Sequence, residues 1–132
     1  MSYQTEILTD YNLVLTRISG VMDDKSNFAY SSSLSKTKYF HSSYNQLADS
    51  RMATKNLLTH EGVIKISNSS AFEPSVKRAF VVNDEQAAMF ATLFGVTTSE
   101  SNNYFVTRDI HRACEWLGVS YAIVMAASLY QT

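Results

Sequence analysis

Lys77-Arg78-Ala79-Phe80-Val81-Val82-Asn83-Asp84 contains the clearest β-strand pattern in the chain. Four apolar residues follow one another in it, whereas a strand with one solvated face alternates apolar and polar residues. The run therefore predicts a strand covered on both faces, in the interior of a sheet. Asn83 is the candidate N-cap of a helix that follows, with Asp84 and Glu85 in its first turn and Gly95 at its end.

A second strand and helix are predicted downstream. Tyr104-Phe105-Val106 is a short apolar strand, and Thr107 is a candidate N-cap for the next helix. Gly118 is a typical helix end. The apolar residues between them recur at helical spacing: Ile110, Ala113, Cys114 and Leu117. Alternating strands and helices are typical of a largely parallel sheet.

Upstream, the pattern predicts an opening β-hairpin and a third strand. Residues 3–8 and 12–19 carry apolar residues at period two, and Thr9-Asp10-Tyr11-Asn12 supplies polar turn residues between them. Ser19-Gly20 predicts the end of the second strand. Tyr44-Asn45-Gln46-Leu47-Ala48-Asp49 predicts the third strand, followed by a polar loop through Asn56.

Two helices are predicted between these strands. The first spans Val21 to Phe40, where helical spacing is weak. Thr59 is the candidate N-cap of the second, which is expected to end near Ala71 to Glu73 because Pro74 cannot continue its hydrogen-bond ladder. Residues 1–118 thus have the order ββαβαβαβα. This order predicts an α/β domain with a mixed sheet of about five strands and about four helices.

Residues 119–132 form an apolar C-terminal extension without a charged residue. About fourteen residues are too few to span a bilayer, which needs roughly twenty, so no transmembrane segment is expected. An uncharged apolar segment left in water invites aggregation. We therefore expect it either to pack on the domain or to dock on a second subunit. The second alternative predicts a homodimer through Val119 to Leu129.

Composition excludes several classes of function. The 132 residues are 45% hydrophobic and 17% charged, which is too apolar for intrinsic disorder. The formal charge of −1 provides no basic field for nucleic acid. Cys114 is the single cysteine and cannot form an internal disulfide, and the segment Met1 to Glu6 lacks the features of a signal peptide. These features predict a cytoplasmic protein that does not bind nucleic acid.

No sequence pattern indicates a catalytic residue, a metal site or a cofactor. Cys114 falls on the apolar stripe of the last helix, as expected of a core thiol. His111 and Glu115 lie four residues apart on that helix, which is typical of a surface ion pair, although a third residue would make them metal ligands. The four glycines are isolated and form neither a P-loop nor a dinucleotide-binding motif.

Two groups of residues are candidates for ligand binding. The first consists of aromatic residues on or beside the two helices before Pro74, where they form either ordinary core or an apolar pocket: Phe28, Tyr30, Phe40 and Phe72. The second group is Asp49, His60 and Glu61, predicted to meet at the carboxyl end of the third strand, where open α/β sheets bind ligands. This second group is also the candidate for an enzyme site assembled in space.

The second half of the chain resembles a known family. The stretch Lys77 to Asp84, the run Tyr104-Phe105-Val106-Thr107-Arg108-Asp109 and the run Ala113-Cys114-Glu115-Trp116-Leu117-Gly118 are similar to motifs of small bacterial SpoIIAA-like proteins with the STAS fold. The resemblance covers residues 3–118 in element order, and local similarity is confined to 77–118. Such motifs are specific for a fold and say little about activity.

The resemblance implies a non-enzymatic regulatory or binding module with a protein partner. The family's antagonists carry Asp-Ser-Ser-Gly at a helix N-terminus, where free N–H groups favour a phosphorylated serine. The corresponding stretch here is Thr59-His60-Glu61-Gly62, in which only the glycine matches. His60 takes the phosphorylated position, and Thr59 is the nearby hydroxyl that could accept phosphate. A similar architecture in lipid-carrying SEC14 domains implies an alternative: a carrier or sensor of a small apolar ligand, a lipid or fatty acid, with peripheral membrane contact.

Overall fold

The computed structural model describes residues 2–68, 71–84 and 103–131. Within these ranges the chain forms a five-stranded sheet: β1 (Ser2–Leu8), β2 (Leu13–Met22), β3 (Asn45–Asn56), β4 (Arg78–Val81) and β5 (Tyr104–Thr107). Four α-helices are described with it: α1 (Asp24–Leu34), α2 (His60–Asn68), α3 (Ile110–Leu117) and α4 (Tyr121–Ala126). The predicted α/β fold is confirmed at this level. The helix predicted to follow the N-cap Asn83 lies outside the described residues from residue 85 onward.

The five strands lie side by side in the order of the sequence. β1 is antiparallel to β2, and each of the later pairs is parallel, so the sheet is mixed as predicted. The hairpin between β1 and β2 turns through a 3-10 helix at Thr9–Tyr11 and ends on Asn12, whose φ of 51° is left-handed. Asparagine tolerates this conformation better than most residues, which explains its place at the turn.

The period of two residues along each strand divides the core between the two faces of the sheet. Leu13, Leu15 and Val81 pack against α3 and α4, on what we call the α3/α4 face. Ile18 and Phe80 pack against Val63 of α2 on the opposite face, which we call the α1/α2 face. The apolar run of β4 is therefore buried from both sides, which confirms the prediction made from its continuous apolar pattern.

Two strands run further than predicted. β2 continues through Met22, because Gly20, with a φ of 76°, lies at a shift in register and lets the strand bend without ending. The first helix is consequently α1 alone, and the prediction that it spans Val21 to Phe40 is wrong. β3 continues to Asn56, so the predicted polar loop after Asp49 is strand instead.

The helix ends follow local hydrogen bonding. Thr59 caps α2 as predicted, since its Oγ1 accepts from the N–H of Gly62 at 3.0 Å. α2 is described as far as Asn68, and Ala71 to Glu73, near which its end is predicted, no longer belong to the helix. Thr107 is not the cap of α3. Asp109 fills that place, accepting from the N–H of His111 at 2.8 Å, because Thr107 still belongs to β5.

The C-terminal extension forms α4 and a 3-10 turn at Ser128–Tyr130. Val124 and Ala127 are buried in the core of the α3/α4 face. None of the helices in the described ranges is both long and apolar enough to cross a bilayer.

Candidate functional site

A cavity lies between the α1/α2 face of the sheet and the helices α1 and α2. Its volume is about 50 Å³. One water molecule needs roughly 10–15 Å³ on this measure, so the space holds only a few non-hydrogen atoms. One part of its wall is apolar and is formed by Ile18, Met22, Leu58 and Val63. The other part carries hydrogen-bonding groups from β2, β3, β4 and α1.

Gln46 is the centre of the polar wall. Its Nε2 donates to Thr16 Oγ1 at 3.1 Å and to Tyr30 Oη at 3.3 Å, and its Oε1 accepts from Arg78 Nε at 2.9 Å. The hydroxyls of Thr16 and Tyr30 also share a short hydrogen bond. Gln46 is only 1% exposed, and a buried amide without partners would be costly. The network therefore orients each of these polar groups along the cavity wall.

Two stacked tyrosines close the cavity on the side of β1. The rings of Tyr3 and Tyr30 are 4.6 Å apart and nearly parallel, and Tyr3 Oη donates to Asn27 Oδ1 at 3.4 Å. Burial, together with the neighbouring Tyr30, raises the pKa of Tyr3 well above its usual range. Burial likewise raises the pKa of Tyr30. Both phenols therefore stay neutral at physiological pH and serve as hydrogen-bonding groups.

The helices that cover the cavity are joined at their N-termini. Asp24 of α1 accepts two hydrogen bonds from Thr59, from the N–H at 3.0 Å and from Oγ1 at 2.6 Å. A Cβ at position 62 would lie 2.2 Å from the Asp24 carboxyl group, so Gly62 is what permits this approach. A phosphate on Thr59 would remove the donor to Asp24 and place two anions in contact.

The aromatic residues singled out from the sequence occupy three different environments. Tyr30 lines the cavity. Phe40 and Phe72 meet edge to face at 5.5 Å within a separate core cluster. Phe28 is 45% exposed, with Nζ of Lys65 at 5.6 Å from its ring centre. The cavity is therefore not the aromatic pocket that these residues suggested.

Asp49, His60 and Glu61 do not come together. Asp49 lies in the middle of β3 and forms contacts on the α3/α4 face, whereas His60 and Glu61 are exposed in the first turn of α2. The expectation that they meet assumed that β3 ends at Asp49. Because β3 continues to Asn56, its carboxyl end lies well beyond this aspartate.

Asp49 instead anchors the C-terminal turn. Its carboxylate accepts from Arg51 at 2.9 and 2.8 Å and from Tyr130 Oη at 2.8 Å. Burial alone would raise the pKa of Asp49, but the hydrogen bonds and charge of Arg51, together with the Tyr130 hydroxyl, outweigh it and lower the pKa. Burial and the Asp49 charge raise the pKa of Tyr130. The group has the chemistry of a satisfied structural ion pair.

The two remaining candidates from the sequence, Cys114 and His111, lie in environments typical of structural residues. Cys114 is 1% exposed in the core, and burial raises the pKa of its thiol. The ring of His111 stacks on Tyr121, with centroids 3.7 Å apart. Within residues 2–68, 71–84 and 103–131, no three His, Cys, Asp or Glu side chains are grouped so that they could hold a metal ion.

Sequence reasoning missed three of the cavity's polar residues: Thr16, Gln46 and Arg78. Each stands at an inward position of a strand where the period of two predicts an apolar side chain. Polar residues at such positions are a recognisable signal, because buried polar groups need partners. In the sequence, Arg78 stands only at the flank of an apolar run.

Comparison with family models, with curated proteins and with solved structures gives no significant match for this chain. Its class is therefore defined by its own geometry: an α/β protein with a small, partly polar cavity between a mixed sheet and two helices. The similarity of residues 77–118 to SpoIIAA-like proteins stays a prediction.

Proposed function

We propose that the protein is a non-enzymatic binding module that holds a small polar molecule, or the polar end of a larger one, in the cavity under α1 and α2. The observation that carries the proposal is the Gln46 network, which lines part of the cavity with oriented hydrogen-bonding groups. Small-molecule sites typically combine apolar walls with a few placed polar groups. Ile18, Leu58 and Val63 supply such walls here.

The position of the cavity supports a regulatory role. A molecule in it touches Tyr30 of α1 and Val63 of α2, so its binding energy stabilises one arrangement of these helices relative to the sheet. Asp24 and Thr59 already tie the two helices together. We propose that a protein partner in the cytoplasm recognises this arrangement of α1 and α2. The SpoIIAA-like resemblance implies the same kind of regulatory role.

A carrier of an apolar ligand, such as a lipid or fatty acid, is the second candidate. A surface groove between β1 and α1 shares Tyr3 and Tyr30 with the cavity and continues along Ala29 and Leu34. This groove favours a ligand whose apolar chain lies partly outside, with peripheral membrane contact as the means of loading. The cavity alone is small beside the roughly 300–1,000 Å³ of ordinary ligand sites, so a whole fatty acid needs the groove.

The proposed homodimer through Val119 to Leu129 is a separate matter. Val124 and Ala127 are buried within one chain, so a second copy would contact the outer side of α4, including Tyr121. Light scattering of the wild type and of Tyr121→Ser tests this. A dimer mass that falls in the variant supports the dimer, and a monomer mass for the wild type contradicts it.

The binding function is tested by thermal unfolding with four defined probes of similar small size: sodium butyrate, butyramide, butylamine and 1-butanol. A bound probe raises the unfolding midpoint in proportion to its affinity and concentration. The comparison variant is Ala48→Val, which adds two methyl groups to the cavity wall and so fills part of the cavity. We expect at least one probe to stabilise the wild type and to lose its effect in the variant. The proposal is wrong if no probe stabilises the wild type, or if the variant responds equally.

A further inference from the structure

Arg78 is held in a fixed orientation at the start of β4. It lies opposite Gln46 in the parallel register of β3 and β4 and donates from Nε to Gln46 Oε1 at 2.9 Å. Gln46 is in turn fixed by its bonds to Thr16 and Tyr30. The guanidinium is therefore positioned from within the sheet, unlike that of a surface arginine.

Three aromatic rings surround the guanidinium. The distances from Cζ to the ring centres of Phe72, Phe80 and Tyr104 are 4.7, 5.4 and 5.7 Å. Cations over aromatic faces are stabilised by the ring quadrupole, and this contact consumes none of their N–H donors. The rings therefore hold the cation in a half-buried place and leave its hydrogen-bonding edge available.

The charge of Arg78 has no carboxylate partner among the described residues. The ion pairs there join Arg51 to Asp49 and Arg108 to Asp84. Arginine has five N–H donors, and in the described part of the chain only Nε of Arg78 makes a hydrogen bond. Of the described residues that line the cavity, Arg78 alone carries a charge. A half-buried cation without a counter-charge is costly, and a bound anion would remove that cost.

We propose that Arg78 is the anion-binding residue of the cavity and that its ligand is a monocarboxylate. The proposal rests on the proposed binding function and names its ligand class. A planar guanidinium matches a carboxylate with two parallel hydrogen bonds, and its single charge matches a single negative charge. The volume of about 50 Å³ admits a carboxylate with a short substituent, which Ile18 and Val63 would contact.

The carboxylate can come from two sources. One is a free short acid that lies entirely in the cavity. The other is the head of a longer acid whose chain displaces the stacked rings of Tyr3 and Tyr30 and lies in the groove beside Leu34. The two sources share the same contact with Arg78, and they differ in how affinity changes with chain length.

The first experiment uses the wild-type protein and calorimetric titration with butyrate and with butyramide, which has the same shape without the charge. We expect butyrate to bind at least tenfold more tightly. Equal binding of the two would overturn the carboxylate assignment while leaving the binding function intact, whereas failure of butyrate and all three other probes would remove both. If octanoate binds at least tenfold more tightly than butyrate, the ligand is a long-chain acid. If octanoate binds no more tightly than butyrate, the ligand is a short acid.

The second experiment assigns the contact to Arg78. We expect Arg78→Gln to weaken butyrate binding at least tenfold and to weaken butyramide binding by a clearly smaller factor, and we expect Arg78→Lys to retain part of the affinity for butyrate. Arg108→Gln, which alters an exposed arginine paired with Asp84, is the matched control and should bind like the wild type. Butyrate bound by Arg78→Gln as by the wild type would overturn the proposal. If Arg78→Gln does not fold, the wild-type comparison of acid and amide decides, and phosphate bound more tightly than butyrate there also overturns the carboxylate assignment.

Discussion

Tyr130 donates a hydrogen bond to Asp49 on the α3/α4 face, with 2.8 Å between Oη and Oδ2. The same turn is tied to the first strand, since the N–H of Leu129 donates to Glu6 Oε1 at 2.8 Å. The guanidinium of Arg17 adds a contact 5.4 Å from the centre of the Tyr130 ring. Two carboxylates and an arginine thus fasten the C-terminal turn to β1, β2 and β3.

Replacement of Asp49 by asparagine should lower the free energy of unfolding in a pH-dependent way. The folded-state pKa of Asp49 lies below its unfolded value of about 3.9, so its contribution is complete above that pH and is lost as the pH falls through the folded pKa. We expect Asp49→Asn to cost about 2 kcal/mol near neutral pH, with partial exposure of Arg51 keeping the cost moderate. Urea unfolding of both proteins across pH 2–7 measures it.

The control for this prediction is the exposed pair formed by Arg108 and Asp84. Asp84→Asn should change the free energy of unfolding by no more than about 0.5 kcal/mol at neutral pH. A penalty for Asp49→Asn that is the same at the lowest and highest pH would show that the charge of Asp49 contributes nothing.

The effect of Gly62→Ala on the free energy of unfolding should have opposite signs in the presence and in the absence of the Asp24 carboxyl group. Alanine favours a helix over glycine by about 0.5–1 kcal/mol. Here its Cβ must displace the Asp24 carboxyl group and break the hydrogen bonds to Thr59, so we expect a net loss of about 1 kcal/mol. In the Asp24→Ala background the obstacle is absent, and the same change should stabilise. Denaturant unfolding of the four proteins in this cycle gives the answer, and a Gly62→Ala effect equal in both backgrounds would refute the role of Asp24.

Gly118 should tolerate asparagine better than alanine. Its φ of 75° is left-handed, and a Cβ there would meet no atom within 4 Å, so the cost of substitution comes from the backbone alone. Gly118→Ala is expected to cost about 1 kcal/mol, and Gly118→Asn less, because asparagine visits this conformation more readily. Thermal unfolding compares the two variants. Equal stability of Gly118→Ala and the wild type would contradict the prediction.

Cys114 should react with thiol reagents only when the protein opens. Its side chain is 1% exposed, and burial raises its pKa, so both access and the thiolate fraction are low. We expect labelling by a disulfide reagent to be slow in buffer, to accelerate with urea in step with unfolding, and to be immediate in the denatured protein. Rapid stoichiometric labelling of the native protein would show that the α3/α4 core is open at this position.

The sequence predicts the interior strands well because their burial leaves a direct pattern. The run Ala79 to Val82 is apolar throughout, and each side chain in it is buried. The extension of β3 has no such pattern. Among the described residues, β4 pairs with β3 only from Gln46 to Asp49, and beyond that β3 pairs only with β2. Arg51, Thr54 and Lys55 are therefore exposed on a narrow two-stranded extension, and their polarity is typical of a loop.

The candidate site is less visible, because it depends on register between strands. Gln46 and Arg78 are far apart in the sequence, and they become neighbours only through the alignment of β3 with β4. Parallel strands joined by helices carry no local turn that sets this alignment. Thr16 and Tyr30 reach Gln46 from two further elements. Propensity and spacing predict each of these elements separately, and none of them specifies the meeting point.

The attachment of Leu129 and Tyr130 to β1 and β3 has a consequence for synthesis on the ribosome. The strands emerge in the order in which they lie in the sheet, so each can pair with its predecessor as it appears. However, Leu13, Leu15 and Leu47 remain uncovered until α3 and α4 have been synthesised and pack on them. A nascent chain that has reached β5 therefore still displays an uncovered apolar surface, the kind of surface that chaperones bind and that promotes aggregation when translation pauses there.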